Sequence, residues 1–326
     1  MQRQSVQPVP FVLLLLFVAS LAPATSEAQL PLPPPPPLPL PPPPALPLPP
    51  IAVGEGPEAL VFDGSNLWVA NQFSNSVTKV GATAGTVLAT VPVGERPVGL
   101  AFDGANVWVA NLLSDSVTKL RANDGAVLAT YPAGNGPGTV LFDGRNIWVA
   151  NRNGNNLSKL RPSDGAPLGT FPVGTRPVGL ASDGANVWVA NNLDDTVAKV
   201  RASDGLALGT FPVGQGPFGV AFDGANVWVT NFFSATVTKL QAATGAQLGT
   251  FRVGDGPTGV AFDGLNLWVA NNGSNNVMLL RPSDGALLAT APAGEGPFGL
   301  IAAVGLGGTA VWTANFGSDT VSMIGP

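Results

Sequence analysis

The sequence contains no histidine and no cysteine, and only 11% of its 326 residues are charged. Without cysteine the chain has no disulfide, no thiolate metal ligand and no cysteine nucleophile. Without histidine it lacks the commonest general base and the commonest metal ligand of proteins. The net charge of −5 comes without a basic cluster, so the charge pattern of a nucleic-acid-binding protein is missing. We therefore assign no catalytic residue from the sequence and expect no nucleic-acid partner.

The first 28 residues have the pattern of a secretory signal peptide. Arg3 precedes an apolar run at 11–22, and small residues at 22–24 and 26–28 offer cleavage sites. The apolar run is shorter than the roughly 20 residues that a membrane-spanning helix needs, although an uncleaved anchor is the alternative. We expect a mature chain without a transmembrane span that is secreted, periplasmic or held at the cell surface.

Residues 29–50 form a tract of proline and leucine. Proline fixes φ and removes a backbone donor, so the tract favours a polyproline II conformation and acts as a semi-rigid spacer. It is predicted to be a linker. A stalk that holds the following domain off a surface, or a ligand for aromatic grooves, is the alternative.

A tryptophan recurs every 40 residues along the rest of the chain, and the seventh follows after 44 residues. In the unit 97–136, runs with strand character lie at 97–103, 107–111, 116–121 and 126–133, with Asp-Gly turns between them. Four short antiparallel strands in a unit of about 40 residues are typical of one propeller blade. The seven tryptophans are Trp68, Trp108, Trp148, Trp188, Trp228, Trp268 and Trp312.

These repeats predict an all-β fold, a seven-bladed β-propeller of four-stranded antiparallel blades over residues 51–326. The last repeat stops after its third strand, and Ile51–Gly54 matches Val91–Gly94, the end of a fourth strand. We therefore expect the N-terminal strand to complete the last blade and close the ring, which removes open sheet edges.

Two repeated residue types predict where the strands lie in a blade. The tryptophans are expected to pack between neighbouring blades. A lysine recurs at one position of the third strand, which indicates a strand nearer to solvent, where lysine discourages edge pairing. The lysines are Lys79, Lys119, Lys159, Lys199 and Lys239.

The second strand reads Trp-Val-Ala-Asn in five repeats, and Gly-Pro-x-Gly-Val-Ala-Phe-Asp-Gly precedes it. These motifs resemble those of the YVTN-type β-propeller family, over residues 51–326. The resemblance implies a secreted, periplasmic or cell-surface propeller, in a family mostly without a known reaction. More distantly, the chain is similar to the virginiamycin B lyase-like propellers, which use histidine chemistry beside a magnesium ion. Since this chain has no histidine, the resemblance does not carry that activity over.

Residues that are the same in all blades serve the common scaffold. Positions that differ between blades are not needed for it and are therefore candidates for function. The loop before the first strand and the loop between the second and third strands both vary, and antiparallel alternation places them on one rim. A ring of carboxylates there is a candidate site for Ca²⁺ or Mg²⁺, with a solvated polar rim as the alternative. The charged and polar candidates are Glu55, Glu95, Arg96, Arg176, Gln215, Asp255 and Glu295.

The second variable loop carries apolar side chains in several blades. Exposed apolar groups in several loops indicate a contact surface for a protein or a glycan, and local packing between loops is the alternative. The candidates in this loop are Phe73, Arg152, Phe232, Phe233 and Phe316, together with the leucines at 112, 113 and 193.

The asparagine that ends every second strand and the aspartate of the first turn repeat too regularly to mark a single site. We interpret both as structural, because such side chains normally satisfy nearby turns and loops. The leading functional hypothesis is a non-enzymatic binding or scaffold propeller for an extracellular protein, glycan or small molecule, without a cofactor. The alternative is a divalent-metal-dependent lyase or lactonase-like hydrolase that acts at the central channel.

Overall fold

The computed structural model describes residues 48–304 and 309–324, and in these residues all regular structure is β-strand. The predicted signal peptide and nearly all of the predicted linker lie outside the described residues. The strands form seven four-stranded antiparallel sheets, which confirms the predicted propeller. No helix of the described ranges is long and apolar enough to cross a membrane.

The first strands of the blades line the axis of the propeller. Each contacts the first strands of both neighbouring blades, and the contact between the seventh and the first completes the circle. These strands are β2 (Pro57–Phe62), β6 (Pro97–Phe102), β10 (Pro137–Phe142), β14 (Pro177–Ser182), β18 (Pro217–Phe222), β22 (Pro257–Phe262) and β26 (Pro297–Val304).

The second and third strands form the buried middle of each blade. The second strands are β3 (Asn66–Asn71), β7 (Asn106–Asn111), β11 (Ile147–Asn151), β15 (Asn186–Asn191), β19 (Asn226–Asn231), β23 (Leu267–Asn271) and β27 (Thr309–Asn315). The third strands are β4 (Ser76–Gly81), β8 (Ser116–Arg121), β12 (Asn156–Leu160), β16 (Thr196–Arg201), β20 (Thr236–Gln241), β24 (Asn276–Leu280) and β28 (Thr320–Ile324).

The fourth strands form the outer edge and are mostly exposed to solvent. They are β5 (Thr86–Pro92), β9 (Val127–Pro132), β13 (Pro167–Pro172), β17 (Ala207–Pro212), β21 (Gln247–Arg252) and β25 (Leu287–Pro292), with β1 (Ile51–Ala52) in the last blade.

The ring closes through the N-terminal strand, as predicted. β1 pairs with β28 in antiparallel register, Ile51 opposite Val321 and Ala52 opposite Thr320. The Ile51 side chain is buried in a cluster with Trp312 of the seventh blade and Leu67 of the first blade. Because successive strand residues point to opposite faces, Ala52 is exposed. The closing strand therefore joins the last blade to the first by burial as well as by pairing.

Each tryptophan packs against the next blade, which confirms its predicted place in the core. Trp68 of the first blade, for example, clusters with Val107, Val109 and Leu120 of the second blade. Truncating a buried tryptophan costs roughly 3–5 kcal/mol, so one such residue at every interface contributes strongly to the ring.

The repeated aspartate holds both the first turn and the tryptophan. Oδ1 of Asp103 accepts the backbone N–H groups of Ala105 (2.9 Å) and Asn106 (2.7 Å), and Oδ2 accepts Nε1–H of Trp108 at 2.8 Å. Gly104 supplies the positive φ of 98° that the turn requires. The seventh repeat has no such aspartate, and Trp312 Nε1 has no hydrogen-bond partner among the described residues. The aspartate series is structural, as interpreted from the sequence.

The expectation that the repeated lysines mark a strand near solvent is wrong. These lysines are buried, and each Nζ donates to one or two backbone carbonyl groups of the next blade. Lys79 Nζ lies 2.7 Å from the carbonyl oxygen of Ala122 and 5.0 Å from the ring centroid of Trp68. The ammonium group therefore links two blades while lying over an aromatic ring, an arrangement that favours a buried cation. The strand at the solvent edge is the fourth.

Candidate functional site

The two variable loops of every blade are joined into one rim, as the alternation of strands predicted. The backbone N–H of Gln72 donates to the carbonyl of Gly56 at 2.9 Å, and that of Phe73 donates to the carbonyl of Glu55 at 3.1 Å. Equivalent pairs recur around the ring. The side chains that differ between blades therefore stand together around one mouth of the central channel.

The carboxylates predicted at this rim do not converge on a common site. Glu55, Glu95, Asp255 and Glu295 are exposed, and so are Gln215 and Arg176. No group of three acidic side chains converges in residues 48–304 and 309–324. The structure thus brings together no set of rim carboxylates for the Ca²⁺ or Mg²⁺ that the sequence suggested.

A different series lines the channel itself, and the sequence reasoning missed it. It is the residue that follows the constant proline of each first strand, and it is the most variable position of that strand. This variability within a constant strand was the signal that could have revealed it. The series is Glu58, Val98, Gly138, Val178, Phe218, Thr258 and Phe298.

The channel is narrow because the first strands approach one another closely. A Cβ atom added at Gly99 would lie 2.9 Å from the Cα of Thr139 in the next blade, so a side chain there would force the strands apart. Five of the seven blades have glycine at this position. What remains is a cavity of about 250 Å³, lined by the first strands of all blades and by Arg152.

A chain of polar side chains crosses one side of the mouth. Arg152 of the third blade donates from Nη2 to Oε1 of Glu58 in the first blade at 3.0 Å. Gln72 donates from Nε2 to the other oxygen, Oε2, at 2.5 Å, and Arg96 donates from Nη2 to Oε1 of Gln72 at 3.0 Å. Two guanidinium groups therefore flank one carboxylate, which leaves an excess of one positive charge.

Glu58, the one acidic side chain of this network, is buried, with 4% of its surface exposed. Burial raises the pKa of Glu58 above its ordinary value, while the charges of Arg152 and Arg96 and the hydrogen bonds of Arg152 and Gln72 oppose that rise. A carboxyl group with a perturbed pKa in a concave site is a physical marker of function.

The position of Arg152 depends on the residue beside it. A Cβ atom at Gly138 would lie 2.8 Å from Cγ and Cδ of Arg152, so only glycine leaves room for the arginine to cross the mouth. In the second blade the same two positions carry Val98 and Leu112. At these two positions the third blade thus has no side chain on the first strand and a longer side chain on the loop.

Aromatic rings line the opposite side of the mouth. The ring centroids of Phe218 and Phe298 lie 5.2 Å apart, those of Phe298 and Phe316 lie 6.0 Å apart, and those of Phe316 and Phe73 lie 5.6 Å apart. The guanidinium of Arg96 lies 5.8 Å from the Phe73 ring and so connects the aromatic side to the polar side. The mouth has one charged half and one aromatic half.

Two donors of this site have no acceptor. The Nε atoms of Arg96 and Arg152 are buried, and neither has a hydrogen-bond partner among the described residues. The Nε–H group of arginine is a donor and cannot accept a hydrogen bond. Buried donors without acceptors are uncommon and call for an explanation.

The structure places some of the residues predicted from the sequence at the mouth and others away from it. Arg96, Arg152, Phe73 and Phe316 belong to the mouth described above. Phe232 and Phe233 form a separate edge-to-face pair with centroids 5.2 Å apart, in which Phe233 is 69% exposed. The residues found only in the structure are Glu58, Gln72, Phe218 and Phe298.

The asparagines at the ends of the second strands lie beneath the rim and do not form part of the mouth. Asn71 is fully buried, and its Nδ2 donates to the hydroxyl groups of Ser76 (3.2 Å) and Thr78 (2.8 Å) on the third strand. A Cβ atom at Gly54 would lie 2.8 Å from this side chain. The asparagines thus secure the strands below the variable loops, in the structural role inferred for them.

The fold and the mouth define a seven-bladed β-propeller with an asymmetric opening to its central channel. No protein-family model matches the chain, and no curated protein matches it in sequence. Solved structures do match. Hydrazine synthase of Kuenenia stuttgartiensis has a TM-score of 0.73 at 20% identity, over 85% of this chain and 97% of that chain.

Two further structures extend the comparison. A catalytically inactive variant of virginiamycin B lyase from Staphylococcus aureus with quinupristin, in which alanine replaces a histidine, has a TM-score of 0.71 at 18% identity. It matches over 85% of this chain and 98% of that chain. The protein U3-55K has a TM-score of 0.73 at 14% identity over the same shares. At these identities the likeness shows the propeller fold alone.

Proposed function

We propose that the protein is a non-enzymatic binding propeller that acts outside the cytoplasm and holds its ligand at the mouth formed by Glu58, Arg152, Phe218, Phe298 and their neighbours. The observation that carries the proposal is that the sequence differences between blades are concentrated in one region of the ring. Seven blades share one scaffold, and the side chains that differ between them meet at one end of the channel. Concave sites with an apolar wall and a few polar groups are the usual form of ligand sites.

The exposed apolar side chains of the rim support a ligand larger than the cavity itself. Phe73, Leu113, Leu193 and Phe233 are each more than half exposed and lie in the second variable loop of four blades. Exposed apolar groups around a pocket favour contact with a partner. One end group of a ligand would enter the channel while the remainder lies on this rim.

Two features of the sequence support the location and the family. The signal-peptide pattern at 1–28 supports export, and the repeated Trp-Val-Ala-Asn motif supports membership of the YVTN-type repeats. The proline-rich segment 29–50 would then act as a spacer between the N-terminus and the ring.

A thermal-shift screen of small molecules and oligosaccharides tests the proposal. Hits on the wild-type protein are expected to disappear in Phe218→Val with Phe298→Val, since valine stands at the same position in the second and fourth blades. They are expected to persist in Arg121→Gln, which alters an exposed position at the end of a third strand, away from the variable loops. Hits that survive the double substitution would place binding elsewhere and overturn the proposal.

A second candidate function is a lyase or a lactonase-like hydrolase at the same channel. The observation in its favour is Glu58, a buried carboxyl group with a raised pKa beside an arginine, which fits a general acid. Assays of lactones and cyclic esters with added Mg²⁺ or Ca²⁺, compared between the wild-type protein and Glu58→Gln, test it. Turnover that Glu58→Gln abolishes would replace the binding proposal.

A further inference from the structure

The chemistry of the mouth identifies a class of ligand. We propose that the site binds a small monocarboxylate that carries an aromatic ring, with its carboxylate on Arg96 and Arg152 and its ring against Phe218, Phe298 and Phe316. This inference rests on the proposed binding function and makes it more specific. The charge of the polar network, the arginine donors without acceptors, the aromatic wall of the mouth and the volume of the cavity each support one part of this inference.

The charge of the network favours an anion. Within the hydrogen-bonded chain, the single carboxylate of Glu58 pairs directly with Arg152 and is linked to Arg96 through Gln72, so the two guanidinium groups exceed the carboxylate by one positive charge. The acidic side chains nearest in sequence, Glu55 and Glu95, are exposed on the rim, where solvent and salt screen them. A ligand with a single negative charge would bring the buried network to neutrality.

The unmet donors favour a carboxylate as the charged group. Arg96 Nε and Arg152 Nε are buried without acceptors, while both oxygens of Glu58 are already engaged, one by Arg152 and the other by Gln72. Guanidinium groups match the planar geometry of a carboxylate, and such charge-assisted hydrogen bonds are among the stronger ones in proteins. The oxygens of a ligand carboxylate would supply the acceptors that Glu58 cannot.

The opposite wall favours an aromatic ring over a polar group. Phe218, Phe298 and Phe316 form a continuous group of rings with edge-to-face and tilted contacts, the geometries that aromatic pairs prefer. A fourth ring added to this group would find the same kind of contact. Apart from Thr258, the channel-lining positions of the fourth to seventh blades are valine or phenylalanine.

The volume limits the size of the group that enters. A dry apolar cavity of about 150 Å³ is large enough to bind benzene. The channel cavity of about 250 Å³, whose lining includes Arg152, Phe218 and Phe298, therefore accepts one ring with a short acidic side chain, and Arg96 and Phe316 lie outside that lining. Larger ligands would extend from the mouth onto the rim.

Calorimetric titration with three matched probes tests this inference. Phenylacetate carries the ring and the anion, phenylacetamide carries the ring without the charge, and phenethylamine carries the ring with a positive charge. The wild-type protein at neutral pH is expected to bind phenylacetate at least about tenfold more tightly than the amide, because a hydrogen bond to a charged group contributes that much. No binding of the amine is expected.

Three variants separate the two halves of the site, each using a residue that the scaffold already carries at that position. Arg96→Gly is expected to weaken phenylacetate about tenfold and to leave the amide unchanged. Phe218→Val is expected to weaken both ligands. Arg176→Gly is the control, because it removes an exposed arginine with the same positive φ, 55° against 54° for Arg96, and is expected to change neither affinity.

Equal binding of the amide and the carboxylate, or tighter binding of the amine, would overturn the inference about ligand class. If such binding still depends on Phe218, the channel mouth remains the binding site and the proposed function stands. Absence of binding by all three probes, with hits of other chemistry in the thermal-shift screen, would also overturn the ligand class alone. The proposed function itself would be overturned only if no hit in that screen depends on the residues of the mouth.

Discussion

Glu58 and Arg152 lie 94 residues apart in the sequence, and their side chains form an ion pair of 3.0 Å across the mouth of the channel. The pair joins the first blade to the third and passes over Gly138. In a ring of nearly identical blades, it is a contact that the repeat cannot generate, because it needs Glu58 in the first blade and both Gly138 and Arg152 in the third. We regard it as the centre of the functional site.

The stability of this pair depends on both partners being present. Arg152→Leu, with the residue of the second blade, is expected to destabilise the protein by about 3 kcal/mol, because Glu58 stays buried without its countercharge. Glu58→Val is expected to cost less, since Arg152 keeps 13% of its side chain exposed and can reach solvent. Urea unfolding of the single and double variants measures these costs.

The double variant provides the control for that experiment. Replacing both partners removes the unpaired charge, so its cost is expected to fall below the sum of the single costs by more than about 1 kcal/mol. Costs that simply add would mean that the two side chains do not interact in solution.

Closure of the ring depends on one side chain of the shortest strand. Ile51→Asp places a charge in the cluster with Trp312 and is expected to destabilise the protein by more than about 3 kcal/mol. Ala52→Asp, on the opposite face of the same strand, is expected to change stability by less than about 0.5 kcal/mol. Thermal unfolding compares the two variants, and similar melting temperatures would refute closure through β1.

The buried lysines are expected to stabilise the interfaces between blades. Lys79→Leu removes the donor to the carbonyl groups of Ala122 and Asn123 and is expected to cost about 1–3 kcal/mol, although the sixth blade has leucine at this position. Arg121→Gln, which removes an exposed ion pair with Asp124, is expected to cost less than about 1 kcal/mol. Chemical denaturation of both variants checks the contrast, and a larger loss in Arg121→Gln would contradict it.

The turn aspartates predict a dependence of stability on pH. Partial burial acts to raise the pKa of Asp103, but the hydrogen bonds from Trp108, Ala105 and Asn106 together hold it below its ordinary value of 3.8. A lowered pKa in the folded state contributes stability above 3.8, and that contribution is lost as the pH falls through the folded-state pKa. Asp103→Asn should therefore destabilise the protein at neutral pH.

The same comparison in acid completes the test. The difference in urea midpoint between the wild-type protein and Asp103→Asn is expected to shrink as the pH falls from 3.8 through the lower folded-state pKa of Asp103, because the wild-type carboxylate becomes protonated over that range. A difference that stays constant from neutral pH into acid would show that the charge of Asp103 has no part in holding the turn and the tryptophan.

The repeat made most of the fold predictable. In the unit 97–136, the predicted runs agree with the observed strands to within one residue at each end, and the closing strand was found by aligning Ile51–Gly54 with the repeat. The lysines were placed wrongly because their partners are carbonyl groups 43 or 44 residues further along the chain. A pattern within one strand shows that a lysine recurs but gives no information about an acceptor in the next blade.

The site was only partly predictable for a similar reason. Variation between blades pointed to the rim around the described mouth and included Arg96, Arg152, Phe73 and Phe316, which lie at that mouth. It also favoured the exposed residues of the Glu55 series over Glu58, which lies three positions further on. The path of the chain as it enters the first strand decides whether the side chain at position 55 or the one at position 58 points into the channel. That path is a property of the assembled ring, and the residue types alone do not determine it.

Titration of a consensus-mouth variant with ligands found for the wild-type protein tests the central claim most directly. In this variant selected residues of the mouth are each replaced by the residue at the equivalent position of another blade, so the scaffold stays intact. We expect a folded ring that no longer binds these ligands. Unchanged affinity in the folded variant would contradict this expectation and place the function elsewhere on the molecule. The substitutions are Glu58→Val, Arg96→Gly, Arg152→Leu, Phe218→Val and Phe298→Val.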